Sequence, residues 1–361
     1  MPAEWEPHES TWLAWPHFQD DWPGKFEPIP WVYAEIIRHL SRHERVDLIV
    51  NNADSEKRAR KTLRQANALN KNVRFHRWAT NRVWTRDSGC TFVLDCGAVL
   101  DCGATGVPAR QAERSSAVPQ AIKWRFTAWA KYPNYRHDEK IGSLMANAAR
   151  APEVRAQRND YHVVLEGGSI DVNGAGTLLT TEECLLSKVQ QRNTGFRRED
   201  YEQIFATYLG IKKVVWLDRG ITGDDTHGHV DDIARFVTPD TIVTVIEADP
   251  KDKNHAPLQE NLRRLLSATD QDGKPFQIVE LPMPAPVIFE GRRLPASYGN
   301  FYIANGIVLV PVFNDPKDRV ALNILADLFP SRDIIPIYSG DLIWGFGALH
   351  CMTQQQPVVR R

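Results

Sequence analysis

Short apolar runs and amphipathic stretches alternate along nearly the whole chain. The run VDLIV at residues 46–50 is continuous enough for a buried strand. It follows a stretch over 30–41 in which Val32, Ile36, Ile37 and Leu40 recur at helical spacing. A polar-faced helix is predicted over 54–67 and a strand over 73–78. Next come a strand and turn over 93–106, a polar loop over 111–118 and a helix over 138–149. Apolar stretches at 162–165 and 176–180 flank Val172, Asn173 and Gly174, which predicts a hairpin. A helix over 200–209 leads to a strand over 213–217, and Pro239 and Asp240 make a turn between strands at 233–236 and 241–245. A helix over 258–268 and a strand over 277–281 follow. Asn305 and Gly306 then join a hairpin of 301–304 and 307–312. A helix over 319–328 and a strand over 334–337 complete the pattern.

Strands and helices thus alternate four or five times at a spacing of about 50 to 80 residues, which predicts repeated α/β units without internal identity. The first thirty residues break the rhythm. Trp5, Trp12, Trp15 and Trp22, with Trp31 just beyond, fall among Pro7, Pro16, Pro23, Pro28 and Pro30, and a packed, irregular segment is expected there. No low-complexity linker divides the 361 residues, so one domain over 1–361 is expected.

Composition narrows the function classes. A formal net charge of −1 gives no global field to recruit nucleic acid or anionic lipid. There is no apolar run of about 18 residues for a membrane span, and the opening MPAEWEPHESTWLAWP has no signal-peptide pattern. Five cysteines (Cys90, Cys96, Cys102, Cys184 and Cys351) show neither disulfide nor zinc-knuckle spacing, which fits a reducing cytoplasm.

Five polar clusters carry the candidate chemistry. Gly345 and Gly347 lead into His350 and Cys351. That thiol reads either as a buried structural residue or as a nucleophile turned into a cleft. Trp84 to Gly89 places Arg86 and Asp87 at a strand end, where a solvated pair is the alternative. Glu166 precedes Gly167 and Gly168. Residues 223–232 crowd Asp224, Asp225, His227, His229, Asp231 and Asp232. His227 and His229 are metal-ligand types, but they stand two apart with no partner motif elsewhere. The fifth cluster, 294–313, reads mostly as core hairpin.

Taken together, a thiol, a histidine and three carboxylates suit attack on a guanidinium carbon. That group is planar and cationic and presents its N–H donors as a fork. Two carboxylates on its edges would hold it flat while a thiolate adds to the central carbon. A histidine beside a third carboxylate would protonate departing ammonia and then deprotonate water.

These stretches also carry a family likeness. TRDSG (85–89), LEGGSIDVNGAGTLLTTEECLLS (165–187), GDDTHGHVDDIARF (223–236), LPASYGNFYIANGIVLVPVFND (294–315) and HCMTQQQP (350–357) closely resemble the agmatine deiminases. Those belong to the Porphyromonas-type peptidylarginine deiminase group of the guanidino-group modifying superfamily. PAEWEPHESTWLAWP (2–16) and KWRFTAWAKY (123–132) look alike too, so the likeness runs the length of the chain. It implies a five-bladed, pseudo-fivefold α/β propeller of pentein type, with the active site in its central cavity. It further implies hydrolysis of agmatine to N-carbamoylputrescine and ammonia, with no metal or other cofactor.

By the resemblance Cys351 is the nucleophile, His229 the general acid and base, and Glu166 the carboxylate that orients it. Asp87 and Asp231 are the guanidinium-holding pair, and Trp84 lines the aliphatic part of the substrate. His227, Asp224 and Asp225 have no catalytic match and are expected in supporting or loop positions. Relatives are often dimers or larger, so a homo-oligomer is expected, with a small cationic guanidine as the partner molecule and neither nucleic acid nor membrane. Three positions depart from the family pattern: Phe346 inside the usual glycine run, Cys90 in place of proline, and Ser169 in place of asparagine. The alternatives are deimination of free arginine, peptidyl arginine or a small guanidine, an amidinotransferase, a metallohydrolase built on His227 and His229, and a non-catalytic guanidine binder.

Overall fold

The computed structural model describes residues 1–95 and 118–358. Within them lie five sheets of three or four strands and two short two-stranded ribbons. Four of the five sheets are wired alike. An antiparallel pair comes first, and a helical crossover then adds a parallel strand. In one unit, Ala234–Thr238 pairs antiparallel with Thr241–Ile246, and helix His255–Ser267 leads to the parallel strand Gln277–Pro282. Tyr302–Ala304, Ile307–Val312, helix Pro316–Leu328 and Asp333–Tyr338 repeat that order. So do Asp171–Val172, Thr177–Thr181 and Lys213–Leu217, and likewise Thr91–Asp95, Val118–Lys123 and Glu153–Arg155. The remaining sheet closes the chain on itself. His8–Ala14 lies between the C-terminal strand Gln354–Pro357 and Arg45–Val50, and Val73–Arg77 extends it.

The core sits between each sheet and its crossover helix. Helix Ile29–Leu40 buries Ile29, Tyr33, Ala34, Ile36, Ile37 and Leu40. Burying one such aliphatic side chain contributes about 1.5–3 kcal/mol, so this face fixes the helix on its sheet. Helix Pro316–Leu328 begins three residues before its apolar pattern does. Asp315 accepts the Lys317 N–H at 2.8 Å, Asp318 accepts the Asp315 N–H at 3.0 Å, and Pro316 is preset for the first turn.

Two expectations are corrected. The tryptophan-rich start is not irregular throughout, because His8–Ala14 is a strand paired on both edges. Aromatic residues suit a pleated surface, and Trp12 stacks on Trp78 at 5.8 Å. The hairpin before residue 181 uses Asp171–Val172 as its first arm, not 162–165. There, Tyr161–His162 pairs with Gln157–Arg158. The expected strand over 93–106 is described as far as residue 95. Its remainder, the loop at 111–117, and Cys96 and Cys102 lie outside the described residues.

Candidate active site

The five polar clusters occupy one structural position. Each precedes the opening strand of a sheet unit. The short helix Thr85–Ser88 comes just before Thr91–Asp95, and Gly167–Ser169 just before Asp171–Val172. Val230–Asp232 comes before Ala234–Thr238, Asn300 before Tyr302–Ala304, and Cys351 before Gln354–Pro357. Strand ends of separate sheets are rigid, so groups placed there are held without flexible loops.

The ends that carry Thr85–Ser88 and Cys351 border a cavity of about 290 Å³ whose lining includes Trp84, Asp87, Trp129, Asp225, Phe346 and Cys351. Cys351 is 5% exposed. Its Sγ lies 3.1 Å from Asn300 Nδ2 and 3.6 Å from Asp231 Oδ2. Burial, Asp231, Asp232 and Asp87 push this thiol well above its usual range. The sulfur therefore rests as a thiol, and a cation placed among those carboxylates would favour the thiolate.

Asp87 and Asp231 both face the sulfur's surroundings. Asp87 accepts Trp129 Nε1–H at 2.8 Å and the Gly168 N–H at 3.0 Å. Burial, with Asp231 and Glu166 adding repulsion against the pull of His229, raises its carboxyl to about 6. Asp231 Oδ2 meets His350 Nδ1 at 2.7 Å, while its buried Oδ1 has no hydrogen-bond partner among the described residues. Burial alone would raise Asp231, but His350, His229 and Arg235 outweigh it and hold the carboxyl low. An ionised Oδ1 without a donor is ready to accept a substrate N–H.

His229 is fully buried. Its Nε2 lies 3.7 Å from Glu166 Oε2 and its Nδ1 3.9 Å from Asp87 Oδ1. Burial works against the imidazolium, yet Asp87, Cys184 and Glu166 overcome it and hold the pKa well above the usual 6.5. Glu166 is fixed by Arg192, whose Nε donates to both carboxylate oxygens at 3.1 and 3.2 Å. Gly168 has to be glycine: a Cβ there would come within 2.5 Å of His229 Nδ1 and 3.0 Å of Asp87 Oδ1. Gly347 is constrained in the same way, since its Cβ would approach the Trp84 ring to 2.7 Å and Cys351 Cβ to 3.1 Å. Trp84 itself lines the cavity at 6% exposure.

The structure thus brings Cys351, His229, Glu166, Asp87, Asp231 and Trp84 to one place. His227 is not with them. It hydrogen-bonds Ser187 Oγ at 3.1 Å beside a separate surface groove with Glu182 and Glu183. Among the described residues two donor groupings fall within 4.8 Å: Glu166, Cys184 and His229, and Asp231, Asp232 and Cys351. Neither includes His227, so the alternative metal reading of His227 with His229 finds no grouping of three ligands among the described residues. Asp224 shapes the loop by accepting the N–H groups of Thr226 and Gly228 at 2.8 and 2.6 Å. Asp225 lines the cavity.

Several contributors were missed by sequence reasoning. Asn300 sits in the cluster read as core, yet its Oδ1 accepts the His350 N–H at 3.0 Å and its Nδ2 reaches both Cys351 and Asp232 Oδ1. Asp232 is held well above the usual carboxylate range by burial, Asp231 and Asp224. Glu4 accepts from His350 Nε2 at 2.8 Å, Arg86 at 3.1 Å and the Ile303 N–H at 2.8 Å. An acid set between Ala3 and Trp5 was the available signal.

A thiol facing two carboxylates, with an imidazole held cationic beside a third, has the chemical equipment of a covalent hydrolase for a planar cation. The chain belongs to the Porphyromonas-type peptidyl-arginine deiminase family, whose profile matches residues 1–357. It is 33% identical over 385 residues to the agmatine deiminase of Pseudomonas aeruginosa (strain LESB58), covering 100% of this chain and 96% of that one. It is 34% identical over 388 residues to the agmatine deiminase of Medicago truncatula, covering 99% and 96%. Among solved structures, the agmatine deiminase of Enterococcus faecalis catalysing its reaction superposes with a TM-score of 0.86 at 28% identity, covering 100% of this chain and 96% of that one. A cysteine-to-serine agmatine deiminase of C. jejuni with substrate bound gives 0.83 at 28% identity, with the same coverage.

Proposed function

We propose that this protein hydrolyses agmatine to N-carbamoylputrescine and ammonia through a covalent adduct on Cys351. The observation that carries the reading is the placement of Cys351 Sγ beside Asp231, on a cavity whose wall includes Asp87. The guanidinium lies flat between Asp87 and Asp231, and its charge offsets the repulsion that keeps the thiol protonated. As the cation binds, the Cys351 proton leaves to solvent, and the thiolate adds to the guanidinium carbon. His229 gives its proton to the departing nitrogen, and an amidino thioether stays on the sulfur. Water then attacks the same carbon, His229 takes its proton, and the carbon–sulfur bond breaks. Guanidinium and water become a urea and ammonium, so no oxidant or metal enters the balance.

Four like-wired sheet units and a fifth sheet that joins the two ends of the chain support a five-bladed α/β propeller that forms one domain. Among the described residues no helix is long and apolar enough to cross a membrane. Cys90, Cys184 and Cys351 are free and buried, which supports a reducing, cytoplasmic setting.

Ammonia release from agmatine tests the reading. Cys351→Ser should reduce it below detection, and mass spectrometry of quenched wild-type protein should find an amidino group on the peptide carrying residue 351. Turnover by the serine variant at wild-type rate would rule out the covalent route.

A further inference from the structure

The cavity carries more negative charge than the guanidinium end of a substrate needs. Among the described residues that line it, four side chains are acidic (Asp20, Asp21, Asp87 and Asp225) and only Arg82 is basic. Asp87 belongs to the guanidinium end. Asp225 is already occupied: Lys131 Nζ and Tyr132 Oη donate to it at 2.5 and 2.7 Å, and Arg292 Nη2 lies at 3.4 Å.

Asp21 is different. Its side chain is 9% exposed, and Oδ1 meets Arg82 Nε at 3.2 Å. Its other oxygen, Oδ2, is buried and has no hydrogen-bond partner among the described residues. Arg82 does not compensate fully. Its Nη1 is spent on the carbonyl and Oδ1 of Asn134 at 3.1 and 2.9 Å, and its guanidinium plane lies 4.3 Å from the centre of the Tyr132 ring. A buried carboxylate oxygen without a donor, in the wall of a ligand cavity, is costly unless a ligand supplies the donor.

We propose that Asp21 selects the far end of the substrate, with its Oδ2 accepting a hydrogen bond from a primary ammonium carried at the end of the guanidine's alkyl chain. The proposal rests on the deiminase reading above and adds to it the residue that recognises the terminal ammonium. Between the two acidic poles, Phe18, Trp84, Trp129, Tyr132 and Phe346 offer apolar faces to the methylenes. An α-amino acid tail would bring its own carboxylate against Asp20 and Asp21. A neutral tail would leave Asp21 unsatisfied. Burial holds the Asp21 carboxyl up at about 7, with Arg82 lowering it and Asp20 and Asp225 raising it. An ammonium at Oδ2 favours the ionised form, so recognition of the tail weakens as pH falls through about 7.

The test compares agmatine with pentylguanidine, which has the same length and a methyl group in place of the ammonium. Ammonia release is measured for both on the full-length wild type, Asp21→Asn and Asp21→Glu. Asp21→Asn should raise KM for agmatine at least about tenfold, the range of a charge-assisted hydrogen bond. Its kcat, and both constants for pentylguanidine, should stay within about threefold, and Asp21→Glu should recover part of the loss. An unchanged agmatine KM, or an equal loss on both guanidines, would overturn the assignment. Failure of the deiminase reading looks different, since the wild type then releases ammonia from neither compound. In that event calorimetric binding of agmatine decides: weaker binding to Asp21→Asn than to the wild type supports the subsite, and equal affinity overturns it.

Discussion

Two buried histidines share one cluster of carboxylates and are held in opposite ways. His350 is tied at both ring nitrogens, to Asp231 Oδ2 at 2.7 Å and to Glu4 Oε2 at 2.8 Å. His229 stands 3.7 and 3.9 Å from Glu166 and Asp87 and hydrogen-bonds to neither. The supports behind them match. Arg192 anchors Glu166, and Arg86 and Arg235 anchor Glu4. An imidazole bonded at both nitrogens fixes the groups it touches. An imidazole held by charge alone keeps its proton while its donor direction stays open, which proton transfer requires. His350 therefore reads as the group that sets the angle of Asp231, and His229 as the group that moves protons.

The comparison is sharpest in turnover. His229→Asn should lower kcat for agmatine by about 10³-fold or more, within the usual span for a positioned acid and base. Its KM should change little, while its melting temperature should fall, because the buried imidazolium no longer offsets Asp87 and Glu166. A drop of less than about tenfold would assign the proton transfers elsewhere. His350→Ala should register chiefly in stability. Removing the imidazole leaves two buried carboxylates facing each other's field, and breaking a buried pair costs about 3–5 kcal/mol. Denaturant titration measures it. His350→Ala with a native midpoint would show that the tie is not structural.

Acidity separates the two carboxylates that the histidines serve. Asp231 is held low by His350, while Asp87, without a bonded cation, sits at about 6. On the proposed reading Asp87 must be ionised to hold the guanidinium, so kcat/KM should fall as pH drops through about 6. The sign for stability runs the other way. Between the usual value of 3.8 and about 6 the folded protein binds more protons at Asp87 than the unfolded chain does, so stability falls as pH rises across that window. Asp87→Asn should remove that slope and add roughly 2–3 kcal/mol at pH 7, at the expense of activity. Denaturation midpoints at pH 4 and pH 7 for both proteins measure the difference. A variant no more stable than wild type at pH 7 would show that Asp87 bears no such strain.

The His229 half of this comparison was legible in the sequence and the His350 half was not. Cys351, His229, Glu166, Asp87, Asp231 and Trp84 each belong to a short cluster of polar, glycine or aromatic residues with a visible motif. The tie on His350 joins residues 346 positions apart, and Asn300 reaches Cys351 across 51. No local pattern encodes such contacts. The same limit governed the fold. Strand Lys213–Leu217 matches its apolar run, and Asn305 with Gly306 marked its hairpin correctly. The polar run Gln354–Pro357 gave no strand signal, because its side chains serve a buried hydrogen-bond network. Gln355 accepts from Arg86 at 2.6 Å, and Gln356 accepts from Ser10 and Trp12 at 3.2 and 3.1 Å.

The smallest effect concerns the backbone between these histidines and the cavity mouth. Phe346 stands between Gly345 and Gly347 with φ at +67°, a region that disfavours side chains. Its ring faces the cavity, and the Arg292 guanidinium lies 4.0 Å from its centre. That cation–π contact, worth about 0.5–1 kcal/mol at a partly exposed site, offsets a backbone cost of about 1–2 kcal/mol. Phe346→Gly removes both, together with the ring's packing against Trp344 at 5.9 Å and the adjoining core, so the variant's stability should stay within about 1 kcal/mol of wild type. It also opens one wall of the cavity while leaving both histidines in place. Bulkier N-alkylguanidines should then become substrates, while kcat on agmatine holds within a few-fold. If kcat on agmatine instead fell as far as in His229→Asn, Phe346 would belong with the reacting groups, and the division between a tied support and a free proton carrier would have to include the wall itself.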